Sequence, residues 1–334
     1  MSSAKQPRSF LRKEFGRQTW VIICSIIIAL HFLPWIAPST LHVMIMIYIY
    51  ALMGQGWNIL GGYAGQFSFG HSLFFGLGAY VSTLLFIHLG LSPWLGMLVS
   101  CMTGIVFGLF IGFLCFRYGL KGPFFALTML AFAEIFQMIA LGWKAVGGAM
   151  GLLIPLKGNS LALMQFVDKK PFYFITFWMV IGGLYLVWRL EGTRIGVCFL
   201  AVKENHEAAE ALGVDTFQTQ MIAMTISGGM TAMGGTLYAQ YLLYIDPYST
   251  FGINNSVEIM LRPVIGGPGT VLGPLLGSVL LTPLAEYTRV ALQAYSGVHL
   301  MLYGVILVAV IMMLPDGLVG AARGFFHRVR RETT

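Results

Sequence analysis

Few residues in this sequence could do chemistry, and the first group lies in a glycine-rich stretch at 61–71 that contains Gln66, Ser68 and His71. Repeated glycine permits positive φ angles and lets backbone N–H groups come close to a ligand. A dinucleotide-binding fingerprint would need a strand before the glycines and a soluble sheet around them, and the sequence offers neither. His71 is either a packed, hydrogen-bonded histidine or a ligand, and packing is the simpler interpretation.

A carboxylate inside an apolar segment is the second candidate. Glu134 is the one acid in the middle of an apolar run at 122–141. If that run crosses a membrane, its carboxylate is by default a functional hypothesis. A proton relay would need further acids or histidines in neighbouring segments, and Glu286 is the only plausible second acid. Glu134 is therefore either a hydrogen-bonded structural residue or a substrate contact, with weaker support for proton coupling.

The third candidate is a stretch at 265–277 that contains Gly267, Gly269 and Thr270 and is interrupted by prolines. Before it come Glu258 and Arg262, which lie four residues apart and so on one face of a helix. Their pairing would reduce the cost of placing two charges at membrane depth. A structural salt bridge is the simpler interpretation, and a transport role is the alternative.

A charged loop at 190–217 is the fourth candidate. Within 203–213 the sequence predicts a short amphipathic helix, in which Ala208, Ala211 and Leu212 share a face and Gly213 suits the position just after the helix. It is either a solvated connector or a helix that docks into a groove of another protein, since small alanines with an acidic rim fit such a groove.

Composition decides which elements can position these residues. The chain has 334 residues, of which 57% are apolar and only 10% are charged. A soluble domain carries roughly 25% charged residues. This composition excludes a soluble enzyme, a nucleic-acid-binding module and a disordered scaffold. It predicts an all-α polytopic membrane protein with roughly eight to ten crossings.

The apolar runs give the segments of this membrane protein. They predict helices at 20–38, 41–60, 72–90, 94–116, 122–141, 171–189, 218–243 and 299–315, with a broken or re-entrant region near 256–292. Strands are not expected, because the runs are long and show no alternation. The segments form one integral domain at 20–317, between basic segments at 1–19 and 318–334. On the helix at 94–116, small residues recur at every fourth position and predict a packing seam: Gly96, Ser100, Gly104, Gly108 and Gly112.

Charge sets the orientation. The net charge of +7 is concentrated at the two ends, where basic residues flank apolar segments, so positive-inside anchoring explains it better than nucleic-acid binding. Both termini and the loop at 190–217 are then cytoplasmic. The residues near Asp246 lie outside, so the broken region near 256–292 must return to the side on which it starts. Irregular backbone at membrane depth is tolerated only when it is buried in protein or lines a path.

The sequence lacks the motifs of several common kinds of catalytic and metal-binding site. The sequence has no G-x-x-x-x-G-K-[ST], no H-E-x-x-H and no G-x-S-x-G, so no ATPase, metalloprotease or hydrolase site is expected. Its four cysteines are far apart and form no CxxC pair, so neither a zinc site nor a disulfide framework is predicted. We therefore expect no catalytic residue, no metal and no cofactor.

Four motifs in one order give the chain a family resemblance. They are 62–71 with 76–80, then 124–135, then 194–196 running into 204–213, and last 266–270 with 273–274, within a region of roughly 40–315. Together they resemble the permease subunits of ABC importers of the branched-chain amino acid type, the LivM-like family.

This resemblance implies a type II importer fold, a second homologous permease subunit beside this one, two cytoplasmic ATPase subunits and an extracytoplasmic substrate-binding protein. It also implies a multi-pass location in a bacterial inner membrane, surrounded by lipid, and a small amino-acid-like solute. A branched-chain amino acid is the first expectation, and an amide or urea is the alternative. The loop would carry the ATPase-coupling residues, which are Glu204, Asn205, Glu207, Ala208, Ala209, Ala211, Leu212 and Gly213.

The translocation path would run between the two permeases. Its candidate residues are Gln66, Ser68, His71, Glu134, Gly267, Gly269 and Thr270. The alternative is that the two glycine-rich regions serve only helix packing. A secondary transporter that works alone on an ion gradient is the alternative function. An intramembrane enzyme has the least support, because no nucleophile–base motif occurs.

Overall fold

The computed structural model of the chain describes residues 34–35, 38–291, 304–305, 312 and 317–320. The segments predicted at 20–38 and 299–315, and the basic segments 1–19 and 318–334, fall outside these residues except for short pieces. The division into one membrane domain with two basic ends stays a prediction.

The described chain is built from helices, in the order that the apolar runs predict. The helices are α1 (Leu41–Trp57), α2 (His71–Leu89), α3 (Pro93–Arg117), α4 (Pro123–Gly142), α5 (Lys170–Glu191), α6 (Arg194–Glu204), α7 (His206–Ala211), α8 (Thr216–Leu242), α9 (Pro247–Phe251), α10 (Ile253–Gly266) and α11 (Gly273–Ala291). A π-helical turn at Asn58–Tyr63 extends α1. Serine or threonine side chains and prolines mark several starts, as at Ser92, whose side chain accepts from the amide of Trp94.

Five helical stretches are long and apolar enough to cross a membrane: Pro38–Tyr63, His71–Leu89, Pro93–Arg117, Pro123–Gly142 and Lys170–Glu191. The all-helical, multi-pass fold is thereby confirmed. The expectation of no strands needs one correction, since β1 (Leu152–Leu153) pairs antiparallel with β2 (Tyr244–Ile245). The ladder joins two loops. Because each strand has only two residues, it leaves no alternation in the hydropathy pattern.

The core is organised by α8, a 27-residue helix that packs against α2 and α3. The small residues of α3 lie on one packing face as predicted, and all five of them are buried, with Gly96 against Ser82 of α2 and Gly104 and Gly108 against α8. A methyl group on Gly104 would overlap the backbone oxygen of Gly228. The Oγ of Ser100 donates to the backbone oxygen of Gly78 on α2 over 3.0 Å. The predicted seam is therefore confirmed, and it joins three helices at backbone distance.

The broken region forms a helical hairpin. Gly273 lies against Gly266, and Gly277 lies against the backbone of Arg262, so α11 runs antiparallel to α10. The far end of α11 returns to the start of α1, where Glu286 Oε1 is 3.6 Å from His42 Nε2. The region therefore ends at the end of the bundle from which it starts, and the side of the membrane on which that end lies stays a prediction. The predicted pair is also formed, with Arg262 Nη2 lying 3.3 Å from Glu258 Oε2.

Candidate functional site

The loop at 190–217 contains two helices where the sequence predicts one. Thr193 caps α6 by accepting a hydrogen bond from the amide of Gly196, and the chain then breaks at Asn205, whose backbone is extended. The Oδ1 of Asn205 accepts from the amide of Ala208 over 3.0 Å and so starts α7. Gly213 follows α7 with a φ of +83°, as its predicted position after the helix requires.

Most of the predicted coupling residues lie on the outer face of this loop. Ala208, Ala211 and Leu212 are exposed, and 84% of Leu212 is accessible. Glu204, Asn205, Glu207 and Gly213 are exposed as well. Ala209 differs, since it is 2% exposed and its oxygen accepts from the amide of Val214. The loop therefore presents a small apolar edge with an acidic rim, and Ala209 holds that edge to the rest of the chain.

Burial and charge fix the state of His206 at the start of α7. Burial lowers its pKa below the usual value, and the positive charge of Lys121 lowers it further, against the opposing effect of Glu210 and Glu207. The imidazole is therefore neutral at pH 7. Its Nε2 lies 3.4 Å from Glu210 Oε1, which also accepts a hydrogen bond of 2.6 Å from Thr216.

Three motifs that are far apart in the sequence meet at one end of the bundle. Lys203, in the last turn of α6, donates through Nζ to the backbone oxygen of Gly62 over 2.8 Å. Asn58 accepts through Oδ1 from the amide of Gly269 over 2.8 Å and donates through Nδ2 to the oxygen of Thr270 over 2.9 Å. We call these five residues the junction. It links the loop at 190–217 to the end of α1 and to the tip of the α10–α11 hairpin.

Close approach at the junction depends on glycine. A methyl group on Gly62 would overlap the Oδ1 of Asn58 and lie 2.5 Å from the amide of Gly269. The tip also contacts the chain beyond α11, because Gly267 packs against the side chain of Val319. The stretch 317–320 therefore lies at the same end of the bundle as the junction.

Ser68 and His71 form a buried polar chain. His71 Nδ1 is 3.0 Å from the Oγ of Ser68, and its Nε2 is 2.7 Å from the Oγ of Ser227. The oxygen of Ser68 accepts from Trp57 Nε1 over 2.8 Å. Both residues are inaccessible in the single chain, and their contacts hold α1, α2 and α8 together. The packed interpretation of His71 accounts for each of its ring nitrogens.

A comparison with known protein families shows to which family this chain belongs. The sequence profile of a family described as "Branched-chain amino acid transport system / permease component" matches residues 39–311. The chain belongs to this permease family. It is a multi-pass membrane protein, and its family is one of transport subunits rather than enzymes.

Individual relatives are distant and differ in what they carry. The permease is 23% identical over 330 residues to the high-affinity branched-chain amino acid transport system permease protein LivM of Escherichia coli (strain K12). The alignment covers 92% of this chain and 76% of LivM. It is 27% identical over 192 residues to the autoinducer 2 import system permease protein LsrC of Salmonella paratyphi B. That alignment covers 56% of this chain and 54% of LsrC. No solved structure matches the permease.

The other predicted path residues of the permease lie in two places. Gly267, Gly269 and Thr270 form the hairpin tip, and Gln66 lies nearby in the connection before α2. Glu134 lies apart from them in the middle of α4, where it is half-buried and has no hydrogen bond or ion pair with another described residue. The structure therefore gathers Gln66 and the tip glycines at the junction end and separates Glu134 from them.

Two residues of the permease site escape the sequence analysis. Asn58 is fully buried, and its only sequence mark is that it is polar within an apolar run. Lys203 looks like an ordinary loop cation, because its partner lies 141 residues away. A search for single polar residues inside apolar helices would have found Asn58, whereas Lys203 leaves no such mark.

Proposed function

We propose that this chain is the transmembrane permease subunit of an ATP-binding-cassette importer, and that with a second homologous permease it encloses the path of a small amino-acid-like solute. Two cytoplasmic ATPase subunits drive it, and an extracytoplasmic binding protein delivers the solute. Membership in the permease family supports the transport role. The LivM relative favours a branched-chain amino acid over an amide or urea.

The observation that carries the proposal is the exposed helix α7 next to the junction. Its free apolar edge suits a groove on an ATPase, in the manner of helix-in-groove recognition. Lys203, two residues before the break at Asn205 that starts α7, contacts Gly62. A displacement of α7 would therefore reach α1 and the hairpin tip through short polar contacts. Closure of the ATPases would then shift the permease pair between two facing states.

Orientation follows from the same end of the bundle. We propose that α7, the hairpin tip and both termini face the cytoplasm in a bacterial inner membrane. The contact between Gly267 and Val319 supports this, since the basic segment at 318–334 begins at the junction end. Five candidate residues keep their proposed role in the path: Gln66, Glu134, Gly267, Gly269 and Thr270. Ser68 and His71 are proposed instead to hold helices together.

Reconstitution tests the proposal. The permease is reconstituted in proteoliposomes with its partner permease, the ATPases and the binding protein, and uptake of radiolabelled leucine is measured. Uptake should require ATP and the binding protein and should survive an ionophore that collapses ion gradients. Glu134→Gln should retain ATP-driven uptake. Uptake by the chain alone on a proton or sodium gradient, with loss in Glu134→Gln, would instead establish the secondary transporter.

A further inference from the structure

A cavity of about 330 Å³ lies among α1, α8, α10 and α11, and none of the predicted path residues lines it. The polar wall includes His42 on α1, Glu258 and Arg262 on α10, and four residues of α11: Thr282, Glu286, Thr288 and Arg289. Small-molecule sites range over about 300–1,000 Å³, so the cavity is large enough for a small solute.

Arg262 is the most buried charged group of this cavity, with 1% of the residue exposed. Its guanidinium carbon lies 3.6 Å from the centroid of the Tyr50 ring, and its Nη1 and Nη2 bond to the backbone oxygen and Oε2 of Glu258. These contacts hold the guanidinium plane in place. The Nε–H has no acceptor among the described residues. Buried donors are almost always paired, so this N–H is a candidate for contact with a solute.

Thr282 supplies a second unpaired group in the same cavity. The residue is 6% exposed, and its Oγ1 has no hydrogen-bond partner in the described part of the chain. Threonines in this protein usually donate to their own helix, as Thr288 does to the oxygen of Leu284 over 2.8 Å. A buried cationic donor and a buried hydroxyl thus both lack partners in one wall.

The charges of the cavity balance. Two guanidinium groups are each paired with a carboxylate of their own helix: Arg262 Nη2 lies 3.3 Å from Glu258 Oε2, and Arg289 Nη2 lies 2.6 Å from Glu286 Oε1. A wall with equal positive and negative charge favours a solute that carries one charge of each sign over one with a net charge. The rest of the wall includes four apolar side chains, which suit an aliphatic group: Val43, Met46, Leu242 and Ala285.

We propose that this cavity binds a small aliphatic α-amino acid as its zwitterion, with the carboxylate on the Nε–H of Arg262 and the Oγ1 of Thr282 and the ammonium facing the carboxylate of Glu258. The proposal rests on the proposed function and deepens it, because it gives the permease a solute site of its own. Hydrogen bonds to charged groups in a buried setting are the strong ones, and they would select a free carboxylate.

Ligand-dependent melting of the complete complex, without the binding protein, tests this site. L-leucine should raise the midpoint of thermal unfolding of the wild-type complex, whereas leucinamide, which lacks the carboxylate, should not. Thr282→Val and Arg262→Lys should raise the leucine concentration needed for that shift at least ten-fold. Thr282→Val should melt no lower than wild type without leucine, since it removes only an unpaired hydroxyl. Ser278→Ala is the matched control, because its Oγ bonds to the oxygen of Pro274 on the same helix.

The outcomes separate the site from the transport function. A wild-type complex that imports leucine with ATP but shows no shift with leucine, or variants that shift as wild type does, would overturn the site. An equal shift with leucinamide would overturn the assignment of the carboxylate. The complex could instead fail to import leucine and still show a leucine-dependent rise in melting midpoint that only Thr282→Val and Arg262→Lys abolish. That result would support the site and count against the proposed function.

Discussion

The Oδ1 of Asn58 accepts a hydrogen bond of 2.8 Å from the amide of Gly269, 211 residues further along the chain. The same side chain donates to the oxygen of Thr270, so one amide group holds two consecutive residues of the hairpin tip. Lys203 bonds to Gly62, in the π-helical turn that begins at Asn58. A single turn of helix thus contacts both the loop that carries α7 and the broken region.

Removing the Asn58 amide should weaken this link. Asn58→Leu leaves the amide of Gly269 and the oxygen of Thr270 without their partner, at a cost of about 1–3 kcal/mol for each unpaired group. We expect a lower midpoint of thermal unfolding of the purified complex and ATP hydrolysis with reduced uptake. Asn254→Leu is the control, because Asn254 is exposed. Unchanged melting and uptake in Asn58→Leu would show that the contacts of Asn58 with the hairpin tip contribute neither stability nor coupling.

The edge of α7 should be needed for ATPase association. Leu212→Asp places a charge on a side chain that is 84% exposed, so the permease itself should keep its stability. We expect co-purification of the ATPase subunits to fall at least ten-fold, which corresponds to about 1.4 kcal/mol. Val167→Asp, at a residue that is 89% exposed in the loop between α4 and α5, is the control. Normal ATPase recovery with Leu212→Asp would rule out docking through this edge.

Ala209 should respond in the opposite way. Because it is 2% exposed, Ala209→Asp buries an unpaired carboxylate and should lower the yield and melting temperature of the permease alone. Size-exclusion chromatography and thermal melting of the detergent-solubilised chain measure this. A variant as stable as wild type that fails only to bind the ATPases would place Ala209 in the docking surface instead.

The seam between α3 and α8 should not tolerate a larger residue. Gly104→Leu drives a side chain into the backbone oxygen of Gly228, and overpacking of this kind costs about 1–3 kcal/mol. We expect a lower melting temperature of the purified permease. Val106→Leu, on the same helix but 57% exposed, should melt as wild type does. Equal melting of the two variants would mean that the two helices do not pack at backbone distance.

Acidification should loosen α7 through His206. The pKa of this histidine is lower in the folded protein than its ordinary value of 6.5. The neutral imidazole therefore contributes its full stability to the loop above pH 6.5, and that contribution is lost as the pH falls through the lowered pKa. ATPase co-purification should therefore decline between neutral and acid pH. His206→Gln keeps a neutral polar side chain and should flatten this decline. An equally steep decline in the variant would assign the titration to another group.

The sequence predicts α1–α5 and α8 to within a few residues, because an apolar run long enough to cross a bilayer has few other stable structures. It also predicts the face of α3 that packs, since four-residue spacing places small residues on one side of a helix. The break at Asn205 is harder to predict. Residues 194–211 could form one continuous helix or two helices separated by a capping asparagine, and the difference in free energy between these two local structures is small.

What the sequence alone determined is the class of protein and the helices α1–α5 and α8, because these follow from local hydropathy. Only the tertiary structure decided that Asn58 meets Gly269, that Ala209 faces inward and that Arg262 and Thr282 share a cavity. Helical periodicity fixes which residues share a face of one helix. Which faces meet depends on packing and polar pairing summed over the whole bundle, and no local pattern records that sum.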